Sequence, residues 1–344
     1  MKLGESIMRF CFPCLLLVCI SVAQAQTYKS GDKVMVNNRD AKMAESGKDA
    51  NTGVELGDVF TVTKTNGDWL WIGRGWIAKS NVVPYDQAIA YFTDQIRRDK
   101  SQGTYYNDRA TAFAKMGELD KAIADETDAI QLDAGHPENL AVEYNTRGLM
   151  WYDKGVYDLA IADYNEVIRN EPNDPEAYFN RGLSWKKIKQ YDKAIADYDE
   201  AIRLNPEHVG AFDNRGDAWK AKGNYDKALS DYNQAIKIDP KNSSGYSSLA
   251  WLCATCPDEK IRNGAMAVES ATKACDLDNW QDADDADTLA AAYAERGDFE
   301  SAVKWQTKAL ELKLDVLSDK KPEELRARLE LYKSGKPYRE ELKK

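Results

Sequence analysis

Two textures of apolar and polar residues divide the chain. Up to residue 84 the apolar residues come in short runs. Val34-Met35-Val36 and Val59-Phe60-Thr61-Val62-Thr63 are β-branched or apolar and predict strands. Asn66-Gly67-Asp68 precedes Trp69-Leu70-Trp71-Ile72, and an Asn-Gly pair suits the tight turn of a hairpin. Gly75-Trp76-Ile77 and Val82-Val83-Pro84 close the segment. Short strands within residues 27–84 predict a small β-barrel. Alternation puts Trp69 and Trp71 on one face and Leu70 and Ile72 on the other. One face must be core, and the pattern leaves open which. If the aliphatic pair lies inside, Trp69, Trp71 and Trp76 form a patch for extended peptide or cell-wall strands.

From Tyr85 onward alanine, tyrosine, leucine and charged residues predict helix. The segments copy one another. Tyr144-Asn145-Thr146-Arg147-Gly148, Tyr178-Phe179-Asn180-Arg181-Gly182 and Phe212-Asp213-Asn214-Arg215-Gly216 align, and Gly148, Gly182, Gly216 and Ala250 are spaced by 34. Ala160, Ala194 and Ala228 share that period, as do Pro172, Pro206 and Pro240. Small residues are required where two helices touch, so Gly182 on a first helix and Ala194 on a second predict a helical hairpin, with Trp185 and Tyr198 filling the space beside them. Pro206 ends the second helix. A single hairpin cannot bury its apolar face, so neighbours must stack.

A fixed period of 34 with these residues resembles the tetratricopeptide repeat family. The resemblance implies a mainly α fold, an α-solenoid of helical hairpins. About six repeats start near residues 103, 141, 175, 209, 243 and 283 and fill residues 103–312. The first carries four extra residues near Gly135-His136-Pro137, and the degenerate fifth carries an insertion around Pro257. Residues 85–102 supply a leading helix, and residues 313–344 a capping helix and tail that hide the last apolar face. The β segment in turn resembles bacterial Src-homology-3-like (SH3-like) domains, through its "Gly-Asp" before a central strand, "Gly-Asp-Trp-Leu-Trp" and "Gly-Trp-Ile".

One regularity tests this register. Position 7 of the first four repeats is Arg109, Arg147, Arg181 and Arg215, and position 23 is Asp125, Asp163, Asp197 and Asp231. In the fifth and sixth repeats both change together, to Leu249 with Ser270 and Leu289 with Trp305. Loss in step predicts that Arg and Asp meet across each hairpin. Solvated, such a pair contributes only ~0–1 kcal/mol and weakens with salt.

Composition narrows the function. A net charge of -10 repels phosphate backbones and argues against nucleic acid. Lys2 and Arg9, the apolar residues 10–22 and Ala23-Gln24-Ala25 follow the order of a secretory signal, cleaved after Ala25. An uncleaved anchor is the rival reading; after cleavage no transmembrane segment is expected. The protein is then periplasmic or secreted. Cys11, Cys14 and Cys19 fall in that segment, leaving Cys253, Cys256 and Cys275, an odd number that gives no complete disulfide framework. Cys253-Ala254-Thr255-Cys256 sits at the end of a helix, where the dipole disfavours a thiolate; core packing or an incidental disulfide is expected. His136 and His208 lie in turns, and Gly73-Arg74-Gly75 lacks the spacing of a phosphate loop. The expectation is a non-enzymatic protein with no cofactor, metal or catalytic residue.

The tetratricopeptide resemblance implies a groove lined by positions 2, 5, 9, 12 and 13 of each first helix. Carried over residue by residue, these give Asn107 in the first repeat, Asn145, Leu149 and Tyr152 in the second, and Phe179, Leu183 and Lys186 in the third. The fourth gives Asp213 and Asp217, and the fifth Trp251. Leu149, Tyr152, Phe179 and Leu183 read as an exposed apolar centre for a peptide or protein partner. Packing against adjacent repeats is the competing role for each. The family's chaperone-type clamp wants Lys or Arg at position 5 and Asn at position 9, and no repeat has both. The implied function is a protein–protein interaction scaffold. The alternative is a cell-envelope adaptor whose SH3-like domain holds peptidoglycan.

Overall fold

The computed structural model describes residues 27–38, 41, 43–44, 54–73, 75–315 and 322–341. The signal segment and Cys11, Cys14 and Cys19 lie outside the described residues. The chain divides into two units, residues 1–88 and 89–344.

The first unit is antiparallel β structure. Strand β1 (Lys33–Val36) lies between β3 (Val59–Thr61) and β7 (Val82–Pro84). A second sheet runs β2 (Met43–Ala44), β6 (Trp76–Ala78), β5 (Trp69–Trp71), β4 (Lys64–Asn66). Gly67 takes φ 54° in the turn between β4 and β5, the left-handed backbone that a two-residue hairpin demands. Val34, Val36, Val62, Leu70, Ile72, Ile77 and Val82 form the core. The open choice between the two faces of β5 is thereby decided: the aliphatic face is inside.

The second unit is a solenoid-like array of helices. A leading helix α1 (Ala88–Arg98) precedes six hairpins: α2 (Gly103–Lys115) with α3 (Leu119–Leu132), α4 (Pro137–Asp153) with α5 (Tyr157–Asn170), α6 (Pro175–Lys187) with α7 (Tyr191–Leu204), α8 (Val209–Ala221) with α9 (Tyr225–Ile238), α10 (Ser243–Thr255) with α11 (Gly264–Leu277), and α12 (Ala283–Glu295) with α13 (Phe299–Asp315). Helix α14 (Pro322–Lys333) packs on α13. The four extra residues of the first repeat become an added first turn of α4, with Pro137 at the position where a missing N–H costs nothing. The insertion in the fifth becomes the connection between α10 and α11.

Five of the six hairpin turns place one residue in the left-handed region, the α10–α11 connection being the exception. Gly117, Gly155, Gly223 and Gly297 take it at position 15, with φ from 75° to 86°. The third repeat has Lys189 there, at φ 61°.

The contact between paired helices differs from the small-on-small expectation. Gly182 faces the ring of Tyr198, not a space beside it. A β-carbon on Gly182 would stand 2.7 Å from Tyr198 Cε1, and those on Gly148 and Gly216 would meet Tyr164 and Tyr232 at 2.9 and 2.6 Å. All three tyrosines are almost wholly buried. The other repeats carry Ala110 with Glu126, Ala250 with Ala271 and Ala290 with Gln306, where alanine replaces glycine and no ring stands opposite.

The Arg–Asp pairs form in all four repeats, as bidentate forks. Arg181 donates from Nε to Asp197 Oδ2 (2.9 Å) and from Nη2 to Oδ1 (2.6 Å); Arg109, Arg147 and Arg215 do the same with Asp125, Asp163 and Asp231. The remaining Nη1 reaches back to the preceding helix pair or leading helix: Arg109 donates to Thr93, Arg147 to Thr127, Arg181 to Asn165 and Arg215 to Asp199. The expected meeting of Arg and Asp is formed, and it is not solvated: each carboxylate is only 6–8% exposed. Burial raises the Asp163 and Asp197 carboxyls despite the guanidinium beside each. Desolvation on this scale makes the fork a device of geometry and register more than of net stability.

Candidate partner-binding groove

Successive first helices α2, α4, α6, α8, α10 and α12 lie side by side, and the residues at positions 2, 5, 9, 12 and 13 mark one surface along them. Their burial and bonding separate the surface into three stretches.

The open stretch is on α4. Val142 is 51% exposed and Leu149 is 42% exposed, at positions 2 and 9. Asn145 and Tyr152 are half-buried on the same face, so the four follow the i, i+3, i+7, i+10 spacing of one helix side. Tyr152 leans edge-on against Tyr157 at 5.4 Å, and Lys187 lies 5.9 Å over its ring. Val142 was missed by the sequence reading, although position 2 of the repeat would have found it.

The middle stretch is largely spoken for by bonds between repeats. Phe179 packs on Tyr198 and, at 4.6 Å between centroids, on His208. Leu183 is half-buried in the same cluster. For these two the packing role displaces the exposed one. Lys186 crosses from α6 to α8 and donates to Asn214 (2.6 Å) and Asp217 (2.9 Å), while Tyr232 donates to the other Asp217 oxygen. Asp213 is buried and accepts from Asn242 at 2.7 Å. Burial pushes its carboxyl up to about 6, opposed by that hydrogen bond. Asn107 in the first repeat is likewise buried, donating to Glu126 at 2.8 Å. Asn107 and Asp213 are therefore corrected from groove lining to groove floor: polar atoms at this depth hold neighbours in place because an unpaired buried group is costly.

The third stretch is covered. Trp251 donates from Nε1 to Glu340 Oε1 at 2.7 Å and packs against Tyr338, so the chain's own C-terminal segment occupies the site expected for a partner.

In the β unit Trp69 is 42% exposed and Trp71 and Trp76 are half-buried. Trp71 and Trp76 pair across β5 and β6 and meet edge to face at 5.4 Å. Cys253, Cys256 and Cys275 are buried free thiols, and burial pushes Cys253 to about 11 and Cys275 to about 12, which disfavours thiolate chemistry. Near Cys275 a cavity of about 560 Å³ opens between α11, α12 and α13, walled by the stacked rings of Trp280 and Trp305. Among the described residues no helix is long and apolar enough to cross a membrane.

Comparison with known proteins agrees with this architecture. The family described as tetratricopeptide repeat matches residues 175–208 and 214–242, a second tetratricopeptide family matches 286–323, and one described as TPR repeat matches 148–189. The Hsp70-Hsp90 organizing protein 3 of Arabidopsis thaliana is 30% identical over 92 residues, 27% of this chain and 16% of that protein. The rat (Rattus norvegicus) serine/threonine-protein phosphatase 5 is 29% identical over 93 residues, 27% of this chain and 18% of that enzyme. The chain thus spans less than a fifth of these relatives. A tetratricopeptide repeat protein from Parabacteroides merdae ATCC 43184 superimposes with a TM-score of 0.51 at 19% identity, over 72% of this chain and 92% of its own. The APC/C hetero-tetramer Cut9-Hcn1 gives 0.55 at 12% identity, over 71% and 46%. At these identities the two structures share the fold and no more.

Proposed function

Because the chain carries tetratricopeptide repeats, a fold that typically serves as a non-enzymatic interaction scaffold, we propose that this protein binds a peptide or protein partner along its first-helix surface, anchored on α4. The observation that carries the reading is the exposure of Val142 and Leu149, seven residues apart on one helix face. Apolar side chains left in water at that spacing suit the apolar face of a partner helix or the alternate side chains of an extended peptide. Lys187 and Asp153 flank them as a polar rim. The name of the Arabidopsis relative, an organizer of two other proteins, supports a scaffold; its particular partners are not carried over, since the chaperone-type clamp is unmatched.

The test is comparative capture. Val142→Ser with Leu149→Ser should leave the helix intact, which circular dichroism checks. Truncating anchors of this kind typically costs ~2 kcal/mol or more in binding. The reading holds if the proteins captured by the native chain are lost from the double variant, and fails if the same proteins are retained in the same amounts.

Two further elements complete the proposal. The protein is exported, with Gln26 as mature N-terminus; terminal sequencing of the native protein finding Met1 would overturn this. The outward Trp69 beside Trp71 and Trp76 supports a second reading, an SH3-like unit that binds cell-wall strands, which sedimentation with purified cell wall tests.

A further inference from the structure

Beyond α14 the chain does not trail away. It turns at Gly335, φ 68°, and residues 336–341 run without helix or strand back across the array. The contacts fall at groove positions of three successive repeats. In the fourth, Lys220 at position 12 pairs with Glu340 at 3.8 Å. In the fifth, Trp251 at position 9 donates to Glu340 (2.7 Å) and stacks with Tyr338 (5.9 Å between centroids). In the sixth, Glu295 at position 13 forms an ion pair with Arg339.

The backbone takes part as well. The last carbonyls of an α-helix have no partner within it. At the end of α10, Thr255 O accepts from the Glu340 N–H (2.9 Å) and Ala254 O from Arg339 Nη1 (3.2 Å). Arg328 of α14, held by a fork to Asp287, lies 5.5 Å from the Trp251 ring and 5.4 Å from the Tyr338 ring. An aromatic slot on the fifth repeat, an acidic partner for a cation on the sixth and a basic partner for an anion on the fourth therefore lie together at this end of the surface, and Tyr338, Arg339 and Glu340 fill them.

We propose that residues 338–340 are a resident peptide, and that this end of the groove takes extended peptides with an aromatic, a basic and an acidic residue in succession. The proposal rests on reading the first-helix surface as a peptide site. It adds the ligand chemistry and a cis competitor. The tail is tethered by only a few residues from Lys333, which gives an effective concentration in the millimolar range. It is held by few bonds, all partly exposed, so it opens locally without unfolding the repeats. A partner peptide must compete with it, and apparent affinity in trans falls by the fraction of time the site is filled.

The test uses the full chain and one synthetic probe, a fluorescein-labelled peptide of residues 334–342. A variant with Tyr338→Ala, Arg339→Ala and Glu340→Ala vacates the site. In fluorescence anisotropy it should bind the probe about tenfold more tightly than the native chain does. Adding Trp251→Ala to that variant should abolish the gain, and a scrambled probe should not show it. Equal binding to native chain and variant, or none to either, overturns the proposal. In the native chain the Glu340 amide should exchange slowly with deuterium, being bonded to Thr255; exchange at the rate of a free peptide overturns it without any variant. Val142→Ser with Leu149→Ser should leave probe binding unchanged, so failure here and failure of the α4 reading are separate results.

Discussion

Gly182 is so close to Tyr198 that a β-carbon would lie 2.7 Å from the ring. The same pairing joins Gly148 to Tyr164 and Gly216 to Tyr232. Ring and missing side chain are two halves of one contact. Repeats without the ring have alanine in the glycine's place, so the pair varies as a unit and fixes how closely the two helices approach.

Gly182→Ala should therefore destabilise the array, although alanine is the better helix former. Overpacking costs ~1–3 kcal/mol, which outweighs a helix-propensity gain of ~1 kcal/mol or less. Tyr198→Leu in the same chain should recover part of the loss. Urea denaturation of the two single variants and the double measures it; additive losses would mean that the two sites do not touch.

The buried tyrosines should answer differently to loss of their hydroxyl. Tyr232 donates to Asp217 at 2.9 Å, whereas the Tyr198 hydroxyl is buried without a protein partner. Tyr232→Phe should cost ~0.5–1.5 kcal/mol, and Tyr198→Phe should be neutral or stabilising. Thermal melts of the two variants rank them; the reverse order refutes the assignment.

Lys189→Gly should stabilise the third repeat by ~1 kcal/mol. A residue with a β-carbon at φ 61° carries a left-handed penalty of ~1–2 kcal/mol, which glycine lacks, less the greater freedom that glycine gives the unfolded chain. A lower melting temperature for the variant would show that the lysine side chain makes a compensating contact.

Arg181→Ala strands a carboxylate 8% exposed and should cost ~3–5 kcal/mol. Replacing Arg181 and Asp197 together by Met and Leu should cost far less. The coupling from the double-mutant cycle should persist in 0.5 M salt, since a buried pair is poorly screened. Coupling that vanishes with salt would restore the solvated pair.

Asp213 supplies the pH dependence. Burial holds its folded carboxyl at about 6, above its ordinary 3.8. Between those values the folded state binds more protons than the unfolded, so stability falls as pH rises through the window. Asp213→Asn removes this dependence and keeps an oxygen to accept from Asn242. The variant should gain ~3 kcal/mol over the native chain at pH 7 and almost nothing at pH 3.5. A gain independent of pH would assign the effect elsewhere.

Much of the architecture was legible because repetition exposes it. Gly148, Gly182 and Gly216 at a spacing of 34 set the register, and the joint loss of Arg and Asp in the last two repeats revealed a contact across 16 residues. The groove was read less well. Position alone nominated Phe179, Asn107 and Asp213, yet the first packs on His208 and the other two lie in the floor. A position number does not say what the next repeat places against it.

What the sequence determined by itself is the hairpin and its stacking. Those contacts join residues at fixed, short separations, and the same steric and charge requirements recur each time, so they leave a periodic trace. What only the tertiary structure decided is which part of the surface stays open. Trp251 is covered by Glu340, 89 residues away, and that encounter happens once. A contact made once, by a segment outside the repeats, has no copy to align with, and its side chains are ordinary surface residues until the chain brings them back.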